Sequence, residues 1–256
     1  MTLSLSFLPF SRKVTLMFVI KRVIVISMGI FLAAGSASAG WFGADFSADI
    51  YQVSPQGQVV QGRMFVGKGK VRTEMTVRGN TVIEIIDPEK GLAWVLEPST
   101  NSYRERLVPK RAMAGPDDSP CDGLVSANCD FLGKELLNGR ASRKWRININ
   151  GQQQIQWRDN EHRFPVKVVE GGQSVMEMQF MGLATVNSRQ VENWLVTQYT
   201  PQGALRSRQW YDPQLNVAIR QQMEDGAMRE LRNIRLEKPS QSLFELPDNY
   251  RSSEVK

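Results

Sequence analysis

One histidine, His162, and two cysteines, Cys121 and Cys129, supply all the imidazole and thiol chemistry in 256 residues. A Ser-His-Asp triad, a Cys-His nucleophile or a His-containing zinc centre would each have to be built around His162. That residue sits between Glu161 and Arg163 in a polar stretch. The expected role is an exposed turn residue. No G-x-S-x-G, H-E-x-x-H or Walker loop occurs, nor a G-x-G-x-x-G opening a helix. The inventory disfavours an enzyme, and no catalytic residue, metal or cofactor is expected. Gly67-Lys68-Gly69-Lys70 is glycine-rich and basic, but it lies between two strand-like runs and reads as a hairpin turn rather than a phosphate cradle.

Three aspartates recur in one frame. Glu84-Ile85-Ile86-Asp87-Pro88-Glu89, Gln156-Trp157-Arg158-Asp159-Asn160-Glu161 and Gln209-Trp210-Tyr211-Asp212-Pro213-Gln214 each run from a polar residue through a large apolar one to Asp. Pro or Asn and then an acid or amide follow. An Asp side chain accepts backbone N–H bonds within a turn, and Pro after it presets φ. The frame therefore reads as three equivalent hairpin turns rather than a set of catalytic acids. The later two copies extend backwards, since Asn138-Gly139-Arg140 precedes Trp145 by the interval at which Asn187-Ser188-Arg189 precedes Trp194. Arg140, Arg143, Lys144 and Arg146 surround Trp145. On a strand, Arg143 and Trp145 point one way and Lys144 and Arg146 the other. A solvated face with one buried Trp fits better than a single-stranded nucleic-acid site.

The elements that must position these residues are strands. Val82–Ile86 and Leu92–Leu96 flank the Asp87–Gly91 turn as a hairpin. Arg72–Val77, Trp145–Ile149, Val175–Met181, Trp194–Tyr199 and Met228–Leu236 read alike, with breaks at Asn150-Gly151, Gly171-Gly172 and Pro201-Gln202-Gly203. No stretch of a dozen residues after the first 39 has clear helical periodicity, although 109–137 has room for a short helix. The fold class is mainly β: an antiparallel meander of about ten to twelve strands, which must curl, close or split into two layers. Residues 109–128, with Pro109, Gly115, Pro116 and Pro120, read as a surface loop.

Apolar residues exceed what one sheet face needs. Leu92, Trp94 and Leu96 share one side of their strand, with Ala93 and Val95 opposite. Met176, Met178 and Phe180 alternate with Glu177 and Gln179. Thioethers adapt their shape, so these six residues are the candidate lining of an apolar ligand site. An ordinary packed core reads the same way from sequence.

Residues 1–39 contain no acid. Lys21-Arg22, an apolar run from Val23 to Ala34, and Ala37-Ser38-Ala39 form the three parts of a secretory signal peptide cut after Ala39. The run is too short to span a bilayer, which needs ~20 residues. Translation can begin at Met1 or at Met17. No cysteine follows the cut, so no lipid anchor is expected there. Loss of Arg12, Lys13, Lys21 and Arg22 takes four positive charges from +6 and leaves +2, which removes the main support for nucleic-acid binding. Residues 40–256 are then expected to be one periplasmic domain and a monomer. In that oxidising compartment Cys121 and Cys129 can close a small loop as a structural disulfide; their spacing matches neither a metal nor a redox pattern.

Several segments resemble the periplasmic LolA/LolB-like superfamily: the Trp-x-Asp turns, Pro165-Val166, Leu132-Gly133-Lys134-Glu135 running into Asn138-Gly139-Arg140 and Lys144-Trp145, and Leu243-Phe244-Glu245-Leu246-Pro247-Asp248-Asn249-Tyr250. The likeness extends to an exported branch with a Cys pair ahead of this Leu-Gly-x-Glu segment. The resemblance covers most of residues 44–250. It implies an unclosed antiparallel β-barrel with a hydrophobic cavity, and a role in carrying or receiving lipoprotein acyl chains or in sensing envelope stress. The leading expectation is a soluble periplasmic binder of a lipid or lipoprotein acyl chain. The alternative is a protein-interaction or sensor module with an envelope protein partner and no small ligand.

Overall fold

A computed structural model of the protein describes residues 42–108, 119–121, 126–162 and 164–253. The leader 1–39 lies outside the described residues. Sixteen strands form one antiparallel sheet, apart from a short parallel pair at one edge. The sheet curves without closing. In sequence the strands are β1 (Phe46–Val53), β2 (Val59–Gly67), β3 (Lys70–Val77), β4 (Asn80–Asp87), β5 (Leu92–Glu97), β6 (Ser102–Leu107), β7 (Ala127–Leu137) and β8 (Arg140–Ile149). There follow β9 (Gln152–Asp159), β10 (Pro165–Glu170), β11 (Gln173–Val186), β12 (Arg189–Thr200), β13 (Gly203–Asp212), β14 (Val217–Met223), β15 (Met228–Leu236) and β16 (Arg251–Ser252). In space β6 to β1 run in reverse order, β1 joins β15, and β15 descends strand by strand to β7. The two edges are β7 and the β6–β16 pair. The strand number exceeds the sequence expectation because short or polar runs such as Ser102–Leu107 carry no apolar alternation and pair only through their neighbours.

The repeat is larger than the sequence frame implies. Each Asp turn closes the third strand of a four-stranded unit: β2–β5, β7–β10 and β11–β14. The first two strands of every unit are joined by two residues at positive φ, namely Lys68-Gly69, Asn138-Gly139 and Asn187-Ser188. Such turns match the right-handed twist of the strands they connect. The base that follows starts the second strand, and the Asp ends the third. Lys70 meets Asp87 at 2.9 Å, Arg140 meets Asp159 at 2.9 Å, and Arg189 pairs with Asp212. The other Asp oxygen takes the turn amides of Lys90, of Glu161 and His162, and of Gln214 and Leu215 respectively. One carboxylate thus caps a turn and latches a hairpin. The first unit has this architecture too, with Lys70 and Met75 where the others have Arg and Trp. Met75, Trp145 and Trp194 are all buried.

Cys121 and Cys129 are joined, with Cα atoms 5.8 Å apart. Cys129 lies within β7, so the loop read as 109–128 gives way to strand at Ala127 and no helix occupies 127–137. Residues 109–118 and 122–125 lie outside the described residues. After β15 the chain doubles back over the first unit. A 3-10 turn, Gln241–Phe244, seats Phe244 against Phe65, Ile83, Ile85, Trp94 and Leu96, with Leu243, Leu246 and Tyr250 alongside.

Candidate functional site

Directly opposed residues of an antiparallel pair share a side of the sheet, and this locates the six candidate ligand residues. Leu92, Trp94 and Leu96 oppose Asp87, Ile85 and Ile83. This is the side covered by the C-terminal strap. Met176, Met178 and Phe180 oppose Gln198, Val196 and Trp194. Following register through β12, β13, β14, β15, β1, β2, β3 and β4 carries this trio to the side of Ile86 and Ala93. The two trios therefore lie on opposite sides of one sheet and do not form one site. Trp94 instead packs under Phe244 and donates its indole N–H to Glu105 at 2.9 Å.

The Met176–Phe180 side is apolar across many strands. One register row reads Phe131, Trp145, Gln156, Val168, Met176, Gln198 and Leu205, from β7 to β13. The next reads Met178, Val196, Ser207 and Met223. Met176, Met178 and Phe180 are half-buried, while Phe131 and Leu205 are about half exposed, at 49% and 53%. A small cleft of about 70 Å³ lies at Leu137, Val166, Lys167 and Glu177. A larger one of about 280 Å³ lies at Arg140, Ala141, Asp159, Asn160 and Glu161. Met176, Met178 and Phe180 line neither of these two clefts; Met178 and Phe180 pack on the edge of a buried cluster of Val166, Trp194 and Tyr211.

Beside this face sits a charged cluster that the sequence reading missed. His162 is not an exposed turn residue: its side chain is only 7% exposed, with Nε2 3.0 Å from Glu192 Oε2. Its ring stacks on Phe164 at 5.5 Å and meets Tyr211 at 5.0 Å. The turn capped by Asp159 folds the imidazole inwards. Glu192 also accepts the Trp194 indole N–H at 3.0 Å. Strand alternation places Glu192 and Trp194 on one side, and that was the available signal. Arg140 completes the cluster, 3.8 Å from Glu192 and 3.3 Å from Glu161, with its guanidinium 5.0 Å from the Phe180 ring centre and 5.1 Å from that of Trp194. Glu161, His162 and Glu192 bring three possible ligand atoms within 4.8 Å of one another. The Arg140 guanidinium already places a cation beside both carboxylates, so the trio reads as an ion network that fixes Trp194.

The cluster makes stability pH-dependent. Burial pushes the His162 imidazole down, but the hydrogen bond and charge of Glu192 outweigh it and hold it above 6.5. Burial pushes Glu192 up, and His162 outweighs that, leaving the carboxyl below 4.5. A raised folded value means that the folded state holds the His162 proton more tightly than the unfolded chain. Its contribution is complete below about pH 6.5 and is lost as pH rises through the raised value. That of Glu192 is present above about pH 4.5 and is lost as pH falls through the lowered one. The pair therefore stabilises most between these limits. Tm should fall as pH is raised from 6 to 9, and His162→Gln should flatten that fall. An unchanged slope in the variant would remove His162 as its cause.

No protein-family model matches the sequence, and no curated protein matches it. Among solved structures the chain is similar to a LolA superfamily protein from Nitrosomonas europaea, at 11% identity and a TM-score of 0.42, covering 82% of this chain and 94% of that one. A putative outer membrane lipoprotein-sorting protein domain from Vibrio parahaemolyticus is 14% identical with a TM-score of 0.37, covering 79% and 89%. A DUF1329 family protein from Desulfovibrio piger is 13% identical with a TM-score of 0.33, covering 78% and 89%.

Proposed function

We propose that the protein is exported to the periplasm and there binds an apolar ligand, such as a lipid or a lipoprotein acyl chain, as a monomer without catalysis. The observation that carries this reading is the open apolar face: Met176, Met178 and Phe180, half-buried on long strands, in register with Val196, Met223 and Leu205. Phe131 and Leu205 in these rows are about half exposed, and apolar surface left in water suits a site that something covers. Methionines suit a flexible occupant. The leader and the sequence resemblance to acyl-chain carriers support the same reading. The site is built from Met176, Met178 and Phe180, while Leu92, Trp94 and Leu96 seat the strap.

Met178→Glu tests it through thermal melting and fluorescent fatty-acid binding measured together. On an open face the variant stays folded and probe affinity falls by about tenfold, the loss expected for one buried side chain. A folded variant with unchanged binding would remove this face from the site. An unfolded variant would place Met178 in a closed core, where an unpaired charge is not tolerated, and would overturn the open-face reading.

A further inference from the structure

Two adjacent charges on β15 have opposite fates. Glu230 points to the strap side of the sheet, where Arg220 and Arg232 engage its two oxygens at 2.6 and 2.7 Å and Asn187 adds a third contact at 3.3 Å. Arg229 points to the other side. Its directly opposed neighbours are Gln52 on β1 and Gln221 on β14, both neutral. Among the described residues no carboxylate pairs with it. Burial alone acts on its guanidinium and holds it below its ordinary value. Glu192 and Glu84, buried acids on that side, are committed elsewhere, to His162 and to Arg106. Arg229 is half-buried, and a partly buried cation with no protein counter-charge favours an anion brought beside it.

The position of Arg229 says what kind of counter-charge. Phe180 opposes Trp194, Trp194 opposes Gln209, Gln209 opposes Gln221, and Gln221 opposes Arg229. This single row runs from aromatic through amide to guanidinium over five strands, about 19 Å at the usual strand spacing, the reach of a long acyl chain. Met178 and Val196 flank its apolar end. We propose that Arg229 is the head-group site for a long-chain anionic amphiphile, a carboxylate or phosphate on an acyl tail that runs across the strands to the half-buried Met178 and Phe180. Gln209 and Gln221 offer amide N–H groups to the oxygens near the head. The proposal rests on the apolar-ligand reading and adds the charge of the ligand to it.

Displacement of a neutral fluorescent dye by palmitate, by lysophosphatidate, by methyl palmitate and by inorganic phosphate tests this without any substitution. The wild-type protein should bind at least one of the two acids about tenfold more tightly than the ester, as a charge-assisted head-group contact requires, and should not bind phosphate alone. The acid with the larger gain identifies the head group. Arg229→Gln should bring acid binding down to the level of the ester, and Arg229→Lys should retain part of the preference. Gln52→Glu, which supplies an internal counter-charge, should also erase it. Equal affinity for acids and ester would overturn the head-group assignment and leave the apolar-ligand reading standing. Absence of binding by all three lipids would overturn both. Phosphate binding as tightly as lysophosphatidate would show a free-anion site and overturn the amphiphile.

Discussion

Asp159→Ala is expected to destabilise the protein by about 3–5 kcal/mol, the cost of breaking a buried ion pair from one side. Asp159 is 2% exposed. It accepts the amides of Glu161 and His162 at 3.0 and 2.8 Å and faces Arg140 at 2.9 Å. Alanine would orphan two turn amides, free the turn that folds His162 inwards, and remove the nearest counter-charge of an arginine packed against Phe180 and Trp194. Asp159→Asn keeps an oxygen for the amides and loses only the charge, so it should cost less, about 1–3 kcal/mol. Urea unfolding of both variants separates turn capping from ion pairing. An alanine variant within about 0.5 kcal/mol of wild type, the range of ordinary surface changes, would show that the latch contributes nothing.

Phe244→Ala should cost a similar amount, about 3–5 kcal/mol by the usual large-to-small rule, although Phe244 lies on a strap rather than in the sheet. The ring is 2% exposed among Phe65, Ile83, Ile85, Trp94 and Leu96. The fit is close: a Cβ placed on Gly67 would come within 3.0 Å of the Phe244 ring, so Gly67 is where the strap meets the sheet. Without the ring, Trp94 gains water on one face and its fluorescence should shift to the red. An unchanged unfolding midpoint would show that the strap merely rests on the first unit.

The class of fold was legible because strand alternation and turn residues are local. Asp87, Asp159 and Asp212 announced three turns, and their capping role follows from side-chain length alone. Their second role was hidden, because Lys70, Arg140 and Arg189 reach them across hairpins of different lengths and the first unit substitutes Lys and Met for Arg and Trp. His162 was misread for a related reason: a polar turn was assumed to face water, whereas the Asp159 cap rolls it inwards onto Glu192. Alternation correctly placed Met176, Met178 and Phe180 on one side of their strand and Leu92, Trp94 and Leu96 on one side of theirs. Whether those two sides coincide depends on register through nine pairings, information that no single strand carries.

Nearly every pairing in the sheet joins neighbours in sequence, but the last segment of the chain breaks that habit. β15 seals β1, the strap covers β4 and β5, and β16 joins β6 through Arg251 and Ser252. A chain synthesised from its N-terminus presents β1 long before β15 exists. β1 and the first unit must then wait, with Ile50 uncovered until Leu231 arrives 231 − 50 = 181 residues later and Trp94 until Phe244 arrives 244 − 94 = 150 residues later. Local hairpins close quickly, while contacts between distant segments pay the loop entropy first. Completion of the first unit is therefore tied to delivery of the whole chain. A product cut short before Phe244 would leave this waiting surface bare to proteases and to other chains.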